Sequence, residues 1–235
     1  PSAVLTPGGF VIVWCDTNAP ASTNLGAFNV GEALDADSGG AYLFNAAGQL
    51  VTSIEYGPQI AGKPIGYYGG QWRLLTAPTP GGNNAAPQAR GSTAALRLNE
   101  LMAASTNGPD WFELCNTTNL PIDLTGLFLT DDPSVAGMTK FQIAPLSFID
   151  AAGWTRFVAD NDPEQGRHHA SFNLDGAGES LLLLRPNGLT LALLDSVAFG
   201  AQADGVSQGR IPDGTATVAA FAGSASPGAM NFVAG

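Results

Sequence analysis

The residues best suited to bind a metal ion are acidic clusters in turn-like segments. One cluster is Asp131-Asp132 and another is Asp160-Asn161-Asp162. Calcium prefers carboxylate and amide oxygens, so Asp131, Asp132, Asp160 and Asp162 form a candidate calcium site. The spaced ligands of an EF-hand loop are absent, however, and Asp/Asn clusters of this kind are also typical of solvated turns.

Side chains for acid–base catalysis are few. The only histidines are His168 and His169, and neighbours on a strand point to opposite faces, so at most one could serve a given site. No nucleophile motif accompanies them, and we expect a loop hydrogen bond for His169. Glu100 and Glu113 could be imagined as a glycosidase pair. Because an unpaired buried carboxylate is costly, we instead expect both to accept hydrogen bonds from loop amides or to pair with an arginine. The sequence therefore predicts no catalytic residues and no enzyme.

An aromatic group lies between glycines in the first third of the chain. Tyr67-Tyr68 and the nearby Trp72 could stack on a sugar ring, which would make this a carbohydrate-binding module. The same side chains could instead pack in an interface, which we favour because large aromatics commonly contribute to contacts between polypeptides.

Composition narrows the possible partners. With 20 acidic and 9 basic residues the formal charge is −11, which disfavours binding to nucleic acid or anionic lipid. No apolar run approaches the roughly 20 residues of a membrane span, so we predict no membrane insertion. Cys15 and Cys115 lack metal-ligand spacing; they are predicted to be small buried residues or, in an oxidising compartment, a disulfide. No cofactor other than calcium is predicted.

The elements that must position these residues belong to a duplicated module. The paired segments, in order, are residues 1–10 with 145–154, Asp16 with Asp160, 28–29 with 172–173, 56–59 with 199–202, and 79–84 with 226–231. The second copy has additional sequence at its front that the first copy lacks. We therefore predict a partial domain over 1–86, a linker over 87–93 and a complete domain over 94–235. A half-sandwich would leave a bare face and an unpaired edge, so we expect other segments of the same polypeptide or neighbouring subunits to complete it.

Both copies contain sequence patterns typical of strands. Leu181–Leu184 and the alternating leucines after Asn187-Gly188 predict a hairpin, since Asn-Gly supplies the positive φ angles of a tight turn. Residues 42–54 predict the corresponding hairpin of the first copy. Phe10, Ile12 and Trp14 also alternate with other residues as in a strand. An all-β sandwich is predicted.

The complete copy resembles the bacterial lamin-tail domain. The motifs that carry the resemblance are, in order, Leu98-Asn99-Glu100-Leu101, Asp110-Trp111-Phe112-Glu113-Leu114, Asp123-Leu124-Thr125-Gly126, Ser171-Phe172-Asn173, Phe199-Gly200, Gly209-Arg210-Ile211-Pro212-Asp213-Gly214 and Ser226-Pro227-Gly228. The resemblance covers most of residues 95–231, and its later half recurs in 8–84. It implies an immunoglobulin-like fold of the lamin-tail type, in a protein that is secreted or displayed on a bacterial cell surface.

We expect structural roles for the motif residues Asn99, Glu100, Trp111, Glu113, Gly126, Phe172, Gly200 and Arg210. Trp111 should fill the core, and Gly126 and Gly200 should allow a bend or a close approach. Arg210 should anchor a turn. The predicted function is a non-catalytic structural, adhesion or protein-binding module of a larger protein. The alternatives are an accessory domain of an extracellular hydrolase such as a nuclease, or a calcium- or carbohydrate-binding module.

Overall fold

The computed structural model describes residues 5–24 and 26–234, and regular structure in them is almost entirely β-strand. The strands are β1 (Gly39–Phe44), β2 (Leu50–Tyr56), β3 (Ile65–Tyr68), β4 (Gln71–Leu74), β5 (Leu96–Met102), β6 (Asp110–Asn116), β7 (Ile122–Asp123), β8 (Phe128–Thr130), β9 (Phe141–Gln142), β10 (Phe148–Ile149), β11 (Trp154–Ala159), β12 (His169–Ala170), β13 (Ser180–Asn187), β14 (Thr190–Ala198), β15 (Val206–Arg210) and β16 (Val218–Ala222). One turn of 3₁₀ helix, Thr93–Ala95, precedes β5. Among the described residues, no helix has the length and apolar character needed to cross a bilayer.

Two sheets pack face to face in the second part of the chain. One has six strands in the order β12-β11-β6-β5-β15-β16, and the other has four in the order β14-β13-β8-β9. Both contribute to a single buried core that includes Leu98, Phe112 and Phe157 from the first sheet and Leu129 and Leu183 from the second. This arrangement confirms the predicted all-β sandwich, because two sheets that share one apolar layer define that architecture.

Strand β6 shows how the sequence sets the two faces of a sheet. Phe112 and Leu114 point into the core, where Phe112 stacks on Phe157 with ring centroids 5.7 Å apart. Alternate residues face opposite sides of a strand. Trp111 therefore lies outside this core, on the side of Glu113, although it is only 8% exposed. The expectation that Trp111 fills the sandwich core is wrong, and Phe112 has that role.

The hairpin predicted around Asn187-Gly188 is β13 and β14, with a different turn. Asn187 pairs with Thr190, so the two turn residues are Gly188 and Leu189. Only Gly188 of this turn has a positive φ, +63°. Glycine at the first turn position is the pattern of a type II′ hairpin, which needs a positive φ at that residue alone.

The N-terminal segment, residues 5–86, consists of two separate hairpins, β1–β2 and β3–β4. The strand predicted from Phe10, Ile12 and Trp14 does not form; Trp14 makes one isolated bridge, to Asn29. Its counterpart in the second copy is β11, which pairs along its length with β6. In the described part of the chain, residues 10–13 have no backbone partner and Trp14 bonds only to Phe28 O and Val30 N–H, so the pairing along a strand is missing. Residues 1–4 of the predicted repeat lie outside the described part of the chain.

The N-terminal segment contacts the sandwich mainly through residues 55–60, by main-chain hydrogen bonds and by an ion pair between Glu55 and Arg167. The N–H of Phe148 donates to Pro58 O (2.8 Å), and the N–H of Gly57 donates to Pro145 O (3.2 Å). Phe148 also packs with Ile60 and Leu74 in a small second apolar cluster. The predicted linker is hydrogen-bonded at both ends, from Gln88 N–H to Leu74 O and from Gly91 N–H to Pro121 O.

Candidate interaction surface

Two buried glutamates close one side of the complete sandwich. Glu100 on β5 lies opposite Glu113 on β6, and both are at most 2% exposed. Glu100 accepts hydrogen bonds from the hydroxyl groups of Ser207 and Ser226 and from the backbone N–H of Ser226. Burial still raises the pKa of Glu100, because these hydrogen bonds only partly replace lost solvation.

Glu113 accepts fewer hydrogen bonds than Glu100. Its carboxyl group accepts from Asn99 Nδ2 (3.0 Å) and from the backbone N–H of Gly228 (2.8 Å). Burial raises the pKa of Glu113 to about 8, with smaller contributions of the same sign from Glu100 and Asp213. The sequence contained no indication of this shift, because it depends on the loop from residues 224–231 folding over β5 and β6. A carboxyl pair sealed in this way holds the loop and has no access to a substrate.

Arg210 ties the two sheets together. Its guanidinium group donates to Leu98 O on β5 (2.7 Å), to Thr215 O (2.6 Å) and to both oxygens of Asp195 on β14 (3.0 and 3.1 Å). Asp195 also accepts from the backbone N–H of Leu98 (2.8 Å). The turn contact to Thr215 is of the predicted kind, whereas the bridge to Asp195 joins positions that sequence reasoning did not connect.

The other motif residues differ in what the fold requires of them. Phe172 is in the core and stacks on Phe112, with centroids 5.9 Å apart. Gly126 has a φ of +75°, which a side chain would strain. Gly200 has neither a positive φ nor a neighbour within 4 Å of an added Cβ. The tight position is Gly178, with a φ of +108°, where a Cβ would meet the backbone of Gly200 at 2.8 Å. The requirement predicted for Gly200 thus belongs to Gly178.

The four acids of the candidate calcium site have protein partners. Asp131 forms an ion pair with Lys140 (2.6 Å). The backbone N–H of Ser134 donates to Asp132 and lowers the pKa of its carboxyl group. Asp160 bonds to His169 Nδ1 (2.7 Å), and Asp162 accepts from the side chain of Gln165. In residues 5–24 and 26–234, no three His, Cys, Asp or Glu side chains gather as metal ligands would. The structure gives calcium binding no support.

The histidines and cysteines also differ in part from expectation. The rings of His168 and His169 lie 4.5 Å apart, because His168 precedes β12 and does not follow strand alternation. Burial lowers the pKa of His168, and the nearby ring of His169 lowers it further by a smaller amount.

Cys15 and Cys115 are both free thiols. Cys115 is buried, which raises its pKa to about 12.

Several hydrogen bonds at paired positions agree between the two copies. The N–H of Asn18 donates to Asp16 Oδ1 (2.8 Å), as that of Asp162 donates to Asp160 Oδ1 (3.1 Å). Asn84 Nδ2 donates to Tyr67 O at 2.9 Å. In the second copy Asn231 Nδ2 donates to Arg210 O at 2.8 Å. The hairpins β1–β2 and β13–β14 both carry a bulge, at residues 43–44 and 183–184.

Burial is what separates the copies. Leu43 is 57% exposed, whereas Leu183, at the same place before the bulge, is fully buried. Val13 is 51% exposed, whereas Phe157, its counterpart in the repeat, is fully buried. The exposed apolar side chains of the N-terminal segment include Phe10, Val11, Ile12, Val13, Trp14, Tyr42, Leu43, Phe44, Leu50, Val51, Tyr67, Tyr68 and Trp72. We call this set the open face. Large apolar side chains exposed in such number are typical of a surface that contacts another molecule.

Strands β3 and β4 add the aromatic part of the open face. Tyr67 and Trp72 pair across the hairpin and meet edge to face, with ring centroids 5.9 Å apart. Both rings remain at least 40% exposed. Sequence reasoning singled out these aromatics but missed Thr79 and Asn84, whose place in the repeat was the available signal.

The described residues thus form one sealed sandwich and an N-terminal segment with many exposed apolar side chains. The chain matches no protein-family model, no curated protein and no solved structure.

Proposed function

We propose that this chain is a non-catalytic structural or protein-binding module of a larger secreted or cell-surface bacterial protein, in which residues 1–86 are a partial and residues 94–235 a complete lamin-tail-type domain. The observation that carries the proposal is the open face. Positions buried in the second copy are exposed in the first, although the local hydrogen bonds agree. Apolar side chains at core-type positions are unfavourable in water when they are exposed. A polypeptide partner that covers them would bury this surface and lower the free energy.

The polar residues support a role without catalysis. Glu100 and Glu113 are buried under the loop that they hold, and Arg210 is engaged with Asp195 and backbone carbonyls. His169 is occupied by Asp160. These groups stabilise the fold, and none presents a nucleophile with its base to solvent.

The proposal is tested by removing apolar character from the open face without disturbing the sandwich. We expect the whole chain to bind an apolar fluorescent dye and to self-associate at high concentration, because its open face is uncovered. Leu43→Asp and Trp14→Ser should together reduce both signals. Leu189→Asp is the matched control, since Leu189 is fully exposed at a turn of the second copy. Dye fluorescence and light scattering after size exclusion provide the measurements; a monomer that binds no dye at any concentration would contradict the proposal.

A further inference from the structure

In the complete copy, the edge of the hairpin β15–β16 is covered by another strand. Strand β15 lies between β16 and β5, and Gly209 of β15 is opposite Glu100 of β5. Glu100 then reaches the N–H and hydroxyl groups of Ser226. Asn231 Nδ2 donates both to Arg210 O and, at 3.3 Å, to Asn99 O of the covering strand.

The N-terminal copy reproduces that site without its covering strand. Hairpin β3–β4 corresponds to β15–β16, and Gly66 corresponds to Gly209. A Cβ added at Gly66 would lie 2.9 Å from Asn84 Nδ2, as one at Gly209 would lie 2.9 Å from Asn231 Nδ2. Strand β3 has one neighbour, β4, in the described part of the chain. Its other edge, where β15 has β5, is free to pair.

The loop after β4 also keeps the geometry of its counterpart. The N–H of Gly82 donates to Thr79 O (3.1 Å), as that of Ala229 donates to Ser226 O (2.9 Å). Gly81 has a φ of +74° and Gly228 one of +81°. The backbone that receives Glu100 and Glu113 in the second copy is therefore present, in the same conformation, in the first.

Thr79 is the group that this arrangement leaves without a partner. It takes the place of Ser226, whose hydroxyl group donates to Glu100. Within residues 5–24 and 26–234, Thr79 Oγ1 is shielded from solvent and makes no hydrogen bond. A buried polar group without a partner is unfavourable, so the site is poised for an acceptor. Asn84, by contrast, is exposed, whereas its counterpart Asn231 is 4% exposed.

We propose that the free edge of β3 binds an extended strand from a partner polypeptide, with a glutamate opposite Gly66 and leucine-like residues at the places of Leu98 and Leu101, as in β5 with its bulge at residues 98–100. The strand adds to β3 antiparallel, its glutamate accepts hydrogen bonds from Thr79, and its apolar side chains cover the open face. This inference rests on the proposed function and names the chemistry of the partner. Recognition is local, through the donors at Thr79, since the chain's charge of −11 repels acidic peptides in general.

The occupant is a strand that is free to pair and not the folded sandwich of a second copy. Strand β5 of a folded copy is held between β6 and β15, with Leu96 and Leu98 at most 2% exposed and Glu100 already bonded. Exchange would require that sandwich to open first. Main-chain pairing with side-chain pockets on alternate residues is the general mode of strand addition to a sheet edge.

The experiment measures binding of labelled peptides to the whole chain by fluorescence anisotropy. One peptide has the sequence of residues 95–103, with terminal lysines for solubility, and the other carries Glu100→Ala in that sequence. We expect the glutamate peptide to bind at least about tenfold more tightly, which is the effect of one hydrogen-bonded charge. In the protein, Thr79→Val should reduce binding of the glutamate peptide to the level of the alanine peptide, and Thr79→Ser should retain it. Thr190→Val, at the exposed start of β14, is the control.

Hydrogen exchange locates the bound peptide, and thermal unfolding checks that each variant is folded. Protection of residues 65–84 supports the inference. Equal affinity of the two peptides, or protection confined to residues 206–231, overturns it while leaving the open face as a binding surface. Dimers without peptide binding would instead identify a second copy as the occupant. A chain that binds neither peptide, and shows no self-association or dye binding, would contradict both the inference and the proposed function.

Discussion

The N-terminal segment and the second sandwich contain paired sequences, yet only one of them has a closed core. Their loops agree in detail, as the matching bonds of Asn84 and Asn231 show. Their burial disagrees, since Val13 is exposed where Phe157 is enclosed. Loop geometry depends on residues a few positions apart, whereas burial depends on strands that are distant in sequence. The difference shows which part of a sandwich is encoded locally and which part requires β5 and β6.

Truncating one side chain in each region should give the largest difference in the free energy of unfolding. Phe157→Ala removes a fully buried ring that stacks on Phe112, and it should lower the free energy of unfolding by about 3–5 kcal/mol. Val13→Ala, at the paired position, should change it by less than about 0.5 kcal/mol, because Val13 is 51% exposed. Urea unfolding of the two variants checks this. A loss at Val13 of more than about 1 kcal/mol would show that the open face is covered in solution.

The buried glutamates should make the second region sensitive to pH. The pKa of Glu113 is about 8 when folded, against an ordinary value of 4.5, mainly because of burial. The folded state therefore holds a proton that the unfolded state releases between these values, so stability falls as pH rises from about 5 to 8. The slope should approach about 1.4 kcal/mol per pH unit, the value for one proton. Glu100, whose pKa is also raised, acts in the same direction.

Urea titrations at several pH values measure this slope, and Glu113→Gln should flatten it because an amide cannot ionise. The N-terminal hairpins should show no matching change, since no carboxyl group in the described residues takes the place of Glu113 beside Gly81. A slope of the opposite sign would mean that Glu113 is ionised in the folded chain.

The paired asparagines should give the smallest effect and the sharpest comparison. Asn231→Ala removes a buried side chain that bonds to Arg210, Asn99 and Ser226, and it should cost about 1–3 kcal/mol. Asn84→Ala removes one bond from an exposed side chain and should cost less than about 1 kcal/mol. Equal losses in urea unfolding would indicate that the edge of β3 already carries a neighbour.

Much of the second region could be predicted from sequence because its signals are local. The apolar run Leu181–Leu184 and the glycine turn after it lie close together in the sequence, and they form the β13–β14 hairpin. The strand predicted at residues 10–14 fails for a different reason. Alternation describes a surface that can pair, whereas the strand itself requires the neighbour that β11 finds in β6.

The polar sites were harder to predict for the same reason. Contacts such as Arg210 with Asp195 or Glu113 with Gly228 join residues on separate elements. Which side of β6 faces the core also depends on the opposing sheet, and so Trp111 was placed on the wrong side. The repeat itself contained the useful signal, since it marked Thr79 and Asn84 as the counterparts of Ser226 and Asn231.

The connector between the two regions has a mechanical consequence. Gln88 is hydrogen-bonded to Leu74 on one side, and Gly91 to Pro121 on the other. A connector that is hydrogen-bonded at both ends has little free length. Tension applied to one region therefore reaches the other through main-chain hydrogen bonds and does not first extend a flexible linker. Force on a strand bound at β3 would therefore reach the sandwich through these hydrogen bonds.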